Sequence, residues 1–183
     1  MQLSVREMHA SDIPLIADYW TSAPAEYLLG MGADPARMLP AHEWHELLTN
    51  QLHTPIEQKQ SWCLIWEIDG NPVGHCNINQ ITPGSVAEMH LHLWHPETRH
   101  KGAGTALVKM SIPLFFKTFS LQRLYCRPYA HNTAPNKTLA LAGFTLLQQV
   151  TTTPGYLNFE QPVNVWMITR TEIQSEYSQE IFT

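Results

Sequence analysis

Short runs in which apolar and polar residues alternate recur along the chain, separated by runs with helical spacing. Alternation with a period of two predicts strands, and apolar residues three or four apart predict helices. The alternating runs comprise residues 3–8, 61–81, 86–95, 121–128, 144–152 and 163–170, and the turn signal Asp69-Gly70-Asn71-Pro72 divides the second into a hairpin. The helical runs comprise residues 13–20, 23–31, 42–52, 103–119 and 134–142. This order predicts an α/β (α+β) fold with a mixed sheet and helices on both of its faces.

The strand predicted over residues 86–95 has two chemically different faces. Successive side chains of a strand point to opposite faces of the sheet. One face is apolar and consists of Ala87, Met89, Leu91 and Leu93. The other face consists of Glu88, His90, His92 and Trp94. Because it carries titratable groups, the second face is a candidate for chemistry.

Composition indicates one domain with a substantial core. Of the 183 residues, 44% are hydrophobic and 15% are charged, so we expect a single domain over residues 1–183 with a polar C-terminal tail at residues 172–183. The net charge of −5 argues against a general nucleic-acid binder, because contacts to phosphates need a basic surface.

Cysteine usage and hydropathy predict a cytoplasmic protein. Cys63, Cys76 and Cys126 are far apart and form no CxxC pair, so no disulfide framework is expected. The N-terminal residues contain no apolar signal region. No apolar run reaches the ~18 residues that a membrane span needs, so no membrane association is expected.

The stretch HPETRHKGAGTALV, residues 95–108, lies between a predicted strand and a predicted helix. Gly102 and Gly104 allow a tight turn and a close approach of a ligand to the backbone. The first turn of a helix has unpaired N–H groups and a partial positive charge, which favour a phosphate. Arg99, His100 and Lys101 add basic side chains nearby. The stretch is a candidate anion site, although glycines at such a turn are commonly structural.

The pattern Arg99-x-x-Gly102-x-Gly104 matches the Q/R-x-x-G-x-G/A motif of the GNAT acetyltransferase superfamily. A strand precedes it, and a helix, a strand, Asn132 and Gly143-Phe144 follow, so that NTAPNKTLALAGF resembles a second block of the family. The resemblance covers roughly residues 2–171 and is most specific over residues 92–144. Spacing and lengths look most similar to the branch that acetylates ribosomal proteins and N-terminal amines.

The resemblance implies a mostly antiparallel sheet of about seven strands and an N-acetyltransferase that uses acetyl-CoA and no metal. The backbone of His92, Leu93 and Trp94 would pair with the pantetheine arm. The pyrophosphate would be held by Arg99 and by the loop residues His100, Lys101, Gly102, Ala103, Gly104 and Thr105. Asn132 would contact the arm near the thiol, and Lys137 would reach a phosphate of CoA. The structural alternatives are a helix cap for Asn132 and a solvated helix residue for Lys137.

The positions that many family members use for catalysis are substituted in this chain. Leu139 stands where many family members have a tyrosine that acts as general acid. Pro135 stands where a related branch has a serine, and Arg127 stands where some members have a glutamate.

Direct attack in a ternary complex still requires the amine to lose a proton and the thiolate to be stabilised. We predict Tyr129 as the acid and one of Glu88, His90 and His92 as the base, with Glu88 favoured and His90 next. The alternative for this face of the strand is packing under a helix, with the histidines hydrogen-bonded. A thiolate stabilised by water and dipoles, or a catalytically weak acetyl-CoA sensor, are the alternatives.

The acceptor pocket is expected between the N-terminal helices and the loop joining the last two strands. The candidate residues are Tyr19, Trp20, Glu26 and Tyr27 on one side, and Tyr156, Asn158, Phe159 and Glu160 on the other. Glu26 or Glu160 would pair with a cationic amine, although aromatic residues in such places more often belong to the core. A protein N-terminus, a ribosomal protein, an amino acid, a polyamine and an amino sugar all remain open as acceptors. A homodimer is common in the family, and the sequence leaves this open too.

A metal site is the rival interpretation of the histidines. Gly84, His90, His92, Glu97 and Gly104 match the spacing of the first metal-binding motif of the cupin family, and such histidines can bind a metal together with a carboxylate. The second cupin motif is absent after residue 104, and residues 103–119 have helical periodicity. We therefore prefer the acetyltransferase interpretation.

Overall fold

The computed structural model describes residues 1–94 and 102–176. The strands in these ranges are β1 (Leu3–Glu7), β2 (Ser61–Ile68), β3 (Asn71–Thr82), β4 (Val86–Leu93), β5 (Arg123–Cys126), β6 (Thr145–Thr152) and β7 (Gln161–Thr169). The α-helices are α1 (Ile13–Thr21), α2 (Ala25–Gly30), α3 (Ala41–His53), α4 (Ala103–Phe119), α5 (Thr133–Leu141) and α6 (Arg170–Glu176). None of the helices in the described ranges combines the length and the apolar character needed to cross a bilayer.

One sheet contains the seven strands, in the order β1-β2-β3-β4-β5-β7-β6. Neighbouring strands are antiparallel except for β4 and β5, which are parallel. Asp69 and Gly70 join β2 to β3 with φ angles of 51° and 77°, a left-handed pair that suits the twist of a two-residue hairpin. The predicted mixed, mostly antiparallel sheet and its hairpin are therefore confirmed.

The sheet separates two hydrophobic cores. On one face, α4, α5 and α6 pack over the strands, and Phe115 is fully buried in the same cluster as Met89. On the other face, α1, α2 and α3 bring Ile16 and Trp44 into one cluster with Ile65 of β2. The predicted arrangement, with helices on both faces of the sheet, is confirmed.

Residues 170–176 form α6 where the polar composition predicts the start of a tail. Ile173 is fully buried in the core beneath α4. The Arg170 guanidinium donates hydrogen bonds to the carbonyl oxygens of Leu121 at 2.7 Å and Phe116 at 3.0 Å. The structure therefore differs from the predicted tail over residues 172–176, because a single apolar residue docks this short helix. Residues 177–183 lie outside the described ranges.

Replacing Ile173 with alanine should lower the free energy of unfolding by about 2–4 kcal/mol, because a fully buried side chain loses both its transfer energy and its packing. Urea denaturation followed by circular dichroism measures the change. Gln174→Ala, on the exposed face of the same helix, is the control and should shift stability by less than about 0.5 kcal/mol. Equal effects of the two substitutions would contradict the docking of α6.

Candidate active site

A cavity of about 1490 Å³ opens where β4 and β5 part. The parallel pairing of these strands covers residues 86–88 of β4 and residues 123–125 of β5. The chain that follows β5 stays with β7 instead, because Ala130 N–H donates to the Pro162 carbonyl at 2.8 Å and Asn164 N–H donates to the Pro128 carbonyl at 3.1 Å. The end of β4 therefore has an open edge that faces the cavity.

The first turn of α4 lies at this cavity. Gly102 precedes the helix with a left-handed φ of 86°, and its carbonyl accepts the first intrahelical hydrogen bond from Ala106 N–H at 3.0 Å. The N–H groups of Ala103, Gly104 and Thr105 come before that bond, in the first turn, where N–H groups have no partner within the helix. Gly102, Gly104 and Thr105 line the cavity, whereas the Ala103 side chain is buried. Arg99, His100 and Lys101 lie outside the described residues.

The end of β4 forms one side of the cavity. His90, Leu91, His92 and Leu93 line it. Trp94 is instead buried in the core beneath α1, and its backbone N–H already donates to the Val73 carbonyl at 2.9 Å. Of the three residues predicted to pair with a pantetheine arm, Trp94 therefore has no free N–H to offer.

The opposite side of the cavity is built by the chain after β5 and by α5. Tyr129, Asn132 and Lys137 line it, as do Arg127 and Pro135. Leu139, at the position of the usual acidic tyrosine, is fully buried in the core. No hydroxyl can therefore reach the cavity from the Leu139 position.

Asn136 holds this side together and was missed by sequence reasoning. Its amide nitrogen donates to the carbonyls of Tyr129 at 3.0 Å and Asn132 at 2.8 Å. Its amide oxygen accepts from Trp166 Nε1 and Asn164 Nδ2, both at 2.8 Å. The four bonds fix the loop that carries Tyr129 and Asn132 against β7. The signal was present, since Asn136 lies inside NTAPNKTLALAGF, but its partners are distant in sequence.

Glu88 is buried and forms an ion pair with Arg127 at the point where β4 and β5 part. Burial raises the pKa of the Glu88 carboxyl, and the Arg127 charge and hydrogen bond oppose this rise. Arg127 lines the cavity, whereas Glu88 is not part of the lining. The first-ranked candidate base is thus paired with a residue of the cavity wall but does not itself line the cavity.

His75 is buried, His90 and His92 are partly buried, and the pKa values of all three lie below the ordinary value, so they are neutral near pH 7. Burial, with a smaller contribution from His90, lowers the pKa of His75 to about 3. Burial, with a smaller contribution from Arg127, lowers the pKa of His90 to about 4. The pKa of His92 is also well below its ordinary value, mainly because of burial. His90 Nε2 is shielded from solvent and has no hydrogen-bond partner among the described residues.

A chain of ring contacts ties the end of β4 to α1. Trp94 Nε1 donates to His75 Nδ1 at 2.8 Å, which requires neutral His75 to carry its proton on Nε2. The His75 ring stacks on His92 with 4.7 Å between the ring centres. His92 Nδ1 in turn lies 3.3 Å from the Tyr19 hydroxyl. His92 is therefore held by side chains of β3 and α1.

The structure places some of the residues predicted to bind the acceptor in the cavity wall and others outside it. Tyr19, Trp20, Tyr27, Tyr156 and Asn158 line the cavity. Glu26 is exposed and, like Phe159 and Glu160, is not part of the lining. Phe159 instead packs against Tyr129, with 6.0 Å between the ring centres.

Helix α3 supplies a wall of the cavity that sequence reasoning missed. Trp44, Leu47, Leu48 and Gln51 line it, and the Trp44 ring stacks on Trp20 at 5.4 Å with an interplanar angle of 7°. The helical spacing of Trp44, Leu47 and Leu48 was visible in the sequence. That spacing predicts an apolar face on the helix, but it does not predict which part of the molecule the face contacts.

The structure does not support the metal-site interpretation. Within the described ranges, no group of three or more His, Cys, Asp or Glu side chains is placed to hold a metal ion. Glu97, the carboxylate of the cupin-like pattern, lies outside the described residues. The helix α4 over Ala103–Phe119 also contradicts the all-β fold that the pattern would require.

Comparison with known proteins gives one family and one fold. A family model described as an acetyltransferase (GNAT) domain matches residues 2–145. Among solved structures, the aminoglycoside acetyltransferase AAC(6')-Ib with coenzyme A and kanamycin is 18% identical with a TM-score of 0.75, covering 97% of this chain and 100% of the other. No curated protein matches the chain by sequence.

Two further solved structures are similar to the same degree. RimL, the ribosomal L7/L12 alpha-N-protein acetyltransferase in complex with coenzyme A, is 16% identical with a TM-score of 0.75, covering 92% of this chain and 94% of the other. The spermidine N-acetyltransferase from Vibrio cholerae with CoA and spermine is 18% identical with a TM-score of 0.75, covering 94% and 98%. These likenesses confirm the predicted fold, and the narrower branch stays a prediction.

The buried neutral histidines predict a loss of stability on acidification. Below about pH 6.5 the unfolded chain binds protons that the folded chain excludes, so stability falls from there towards the lower folded pKa. His75→Gln keeps an acceptor for Trp94 Nε1 but does not titrate, so it should remove about 2 kcal/mol of the loss between about pH 6.5 and 5. Urea unfolding at several pH values measures this. The exposed His45→Gln is the control, and an unchanged slope in His75→Gln would show that His75 does not act this way.

Proposed function

The chain belongs to the GNAT acetyltransferase family, and on that premise we propose that it transfers the acetyl group of acetyl-CoA to a primary amine by direct attack in a ternary complex. The observation that carries the proposal is the cavity between β4 and β5. It joins the first turn of α4, the open edge of β4 and an aromatic wall. Structures of the same fold hold coenzyme A together with kanamycin or spermine, which supports both the donor and an amine acceptor.

Acetyl-CoA binds along β4 in this proposal. The pyrophosphate accepts hydrogen bonds from the N–H groups of Ala103, Gly104 and Thr105, where the helix dipole also favours an anion. The pantetheine arm follows the edge of β4 at His92 and Leu93, with Asn132 opposite it. Lys137 contributes a positive charge from α5. The predicted contributions of Arg99, His100 and Lys101 stay predictions.

The base in this proposal is His90 rather than Glu88. The attacking nitrogen forms a C–N bond with the acetyl carbon and becomes positively charged, so it must give up a proton. The pKa of about 4 keeps the His90 imidazole neutral near pH 7, and a neutral imidazole can accept that proton. The location of His90 in the cavity wall supports this role, and the ion pair of Glu88 with Arg127 supports a positioning role for Glu88.

The acid in this proposal is Tyr129. As the C–S bond breaks, the thiolate of CoA takes the phenolic proton of Tyr129, while a backbone N–H of β4 stabilises the oxyanion that precedes it. Tyr129 lines the cavity, and His131 and Phe159 pack edge-on against its ring at 5.1 and 6.0 Å. This packing supports a fixed position for the hydroxyl.

Gly104→Asp should weaken binding of acetyl-CoA by at least about tenfold, because a carboxylate in the first turn of α4 repels the pyrophosphate. Isothermal titration calorimetry at moderate salt measures the dissociation constant. Gly104→Ala is the matched control. Among the described residues, a Cβ atom at this position meets only Leu93 Cδ1, at 3.5 Å, so alanine fits and should bind nearly normally. Normal binding by the aspartate variant would contradict the assignment of the pyrophosphate site.

His90→Gln and Tyr129→Phe should each lower kcat by about a hundredfold or more while the dissociation constant of acetyl-CoA stays the same. Release of the CoA thiol with an amine panel gives kcat, and calorimetry gives binding. His45→Gln, an exposed substitution on α3, should change neither quantity. Tight binding without turnover in the wild type would favour the sensor, and an unaltered kcat in both variants would remove these residues from catalysis.

A further inference from the structure

The part of the cavity next to His90 is formed by residues that no prediction assigned to it. Asn77 is the register partner of His90 across β3 and β4, and Asn79 follows it on the same face. Ser61, the register partner of Asn79, accepts a hydrogen bond from Gln51 of α3. We call the residues Trp44, Leu48, Gln51, Lys59 and Asn79 the α3 wall. All of them line the cavity.

The charged side chains on the described lining of the cavity are Lys59, Arg127 and Lys137, and each is basic. The charge of Arg127 is paired with Glu88. Lys59 is held by the C-terminal end of α3, where its ammonium donates to the carbonyls of Gln51 and Leu52. The α3 wall therefore presents one positive charge to the cavity, held in place at the end of α3.

The rest of the α3 wall is aromatic and amide-like. Trp44 and Trp20 form a flat stacked surface, with Leu48 beside it in the same core cluster. Trp44 Nε1, Gln51 Oε1 and Asn79 Oδ1 are shielded from solvent and have no hydrogen-bond partner among the described residues. Unpaired buried polar atoms destabilise a fold, because they lose their hydrogen bonds to water without gaining others. A ligand with a neutral amide or hydroxyl group would recover part of that loss after small side-chain rotations.

We infer that the acceptor is a compound with a single amine, an aromatic or aliphatic body and a neutral hydrogen-bonding group, and that polyamines and aminoglycosides are poor substrates. The inference rests on the proposed function, because it specifies the acceptor of the same site. The flat apolar surface binds the body of the acceptor, and the amides of the α3 wall bind its neutral group. A second or third ammonium group on the acceptor would meet the positive charge of Lys59.

The test compares acetylation of phenylalaninamide, spermidine and kanamycin, followed as release of the CoA thiol. For the wild type, kcat/KM should be at least about tenfold higher with phenylalaninamide than with either polycation. A higher value with spermidine or kanamycin overturns the inference and leaves the proposed function intact. Turnover of none of the three, with acetyl-CoA binding retained, contradicts the proposed function and the inference together.

Two charge substitutions test the cause of the preference. Lys59→Gln removes the cation, and Gln51→Glu adds a carboxylate of nearly the same shape. Each should raise kcat/KM for spermidine about fivefold or more at low salt, with the gain reduced at high salt because exposed charges are screened. Neither should improve phenylalaninamide.

Lys117→Gln is the matched control, since Lys117 is exposed on α4 and outside the cavity lining. Lys117→Gln should leave kcat/KM unchanged for both spermidine and phenylalaninamide. Thermal unfolding checks that each variant is folded. An identical spermidine to phenylalaninamide ratio in folded Lys59→Gln, folded Gln51→Glu and the wild type would overturn the electrostatic argument.

Discussion

The parallel pairing of β4 with β5 ends after residues 88 and 125, and the rest of the structure depends on that ending. Two adjacent strands normally continue to satisfy one another's backbone groups. Here the chain after β5 turns its hydrogen bonds to β7 and is fixed there by Asn136. β4 continues to Leu93 paired with β3 alone, so its other edge is open. This separation of the two strands creates the open edge of β4 and the cavity. It also gives the first turn of α4 access to that cavity.

Buried polar groups hold the separation open. The ion pair of Glu88 and Arg127 lies where the two strands part, so closing the strands there would either bury the pair further or separate it, and both are costly. Farther along β4, His75, His92 and Trp94 connect the strand to Tyr19 of α1 through ring contacts and hydrogen bonds. The same contacts keep the histidines neutral. The groups that shape the site are therefore also the groups that make the fold sensitive to acid.

Local patterns in the sequence predicted the helices and strands well, but they predicted the contacts between these elements poorly. The bounds of α4, the hairpin at Asp69 and Gly70, and the two faces of β4 follow from periodicity and glycine alone, since each depends on neighbouring residues. The wall formed by α3, the four hydrogen bonds of Asn136 and the docking of Ile173 depend on residues far apart in the chain. Glu88 illustrates the difference. The alternation of polar and apolar residues placed it on the correct face of β4, but it could not predict the ion pair with Arg127 of the chain after β5. The resemblance to a family predicted the order of the helices and strands. It predicted the catalytic residues less well, because the positions that the family uses for catalysis are substituted in this chain.

The central claim is that the open edge of β4 and the first turn of α4 together receive coenzyme A. Hydrogen–deuterium exchange of the wild type with and without coenzyme A tests it most directly, because it reads the backbone N–H groups themselves. Exchange should be slower at residues 91–93 and 102–105 when coenzyme A is bound, with little change in β6 at residues 145–152. Protection confined to other parts of the sheet, or no protection at residues 102–105 under saturating coenzyme A, would contradict it.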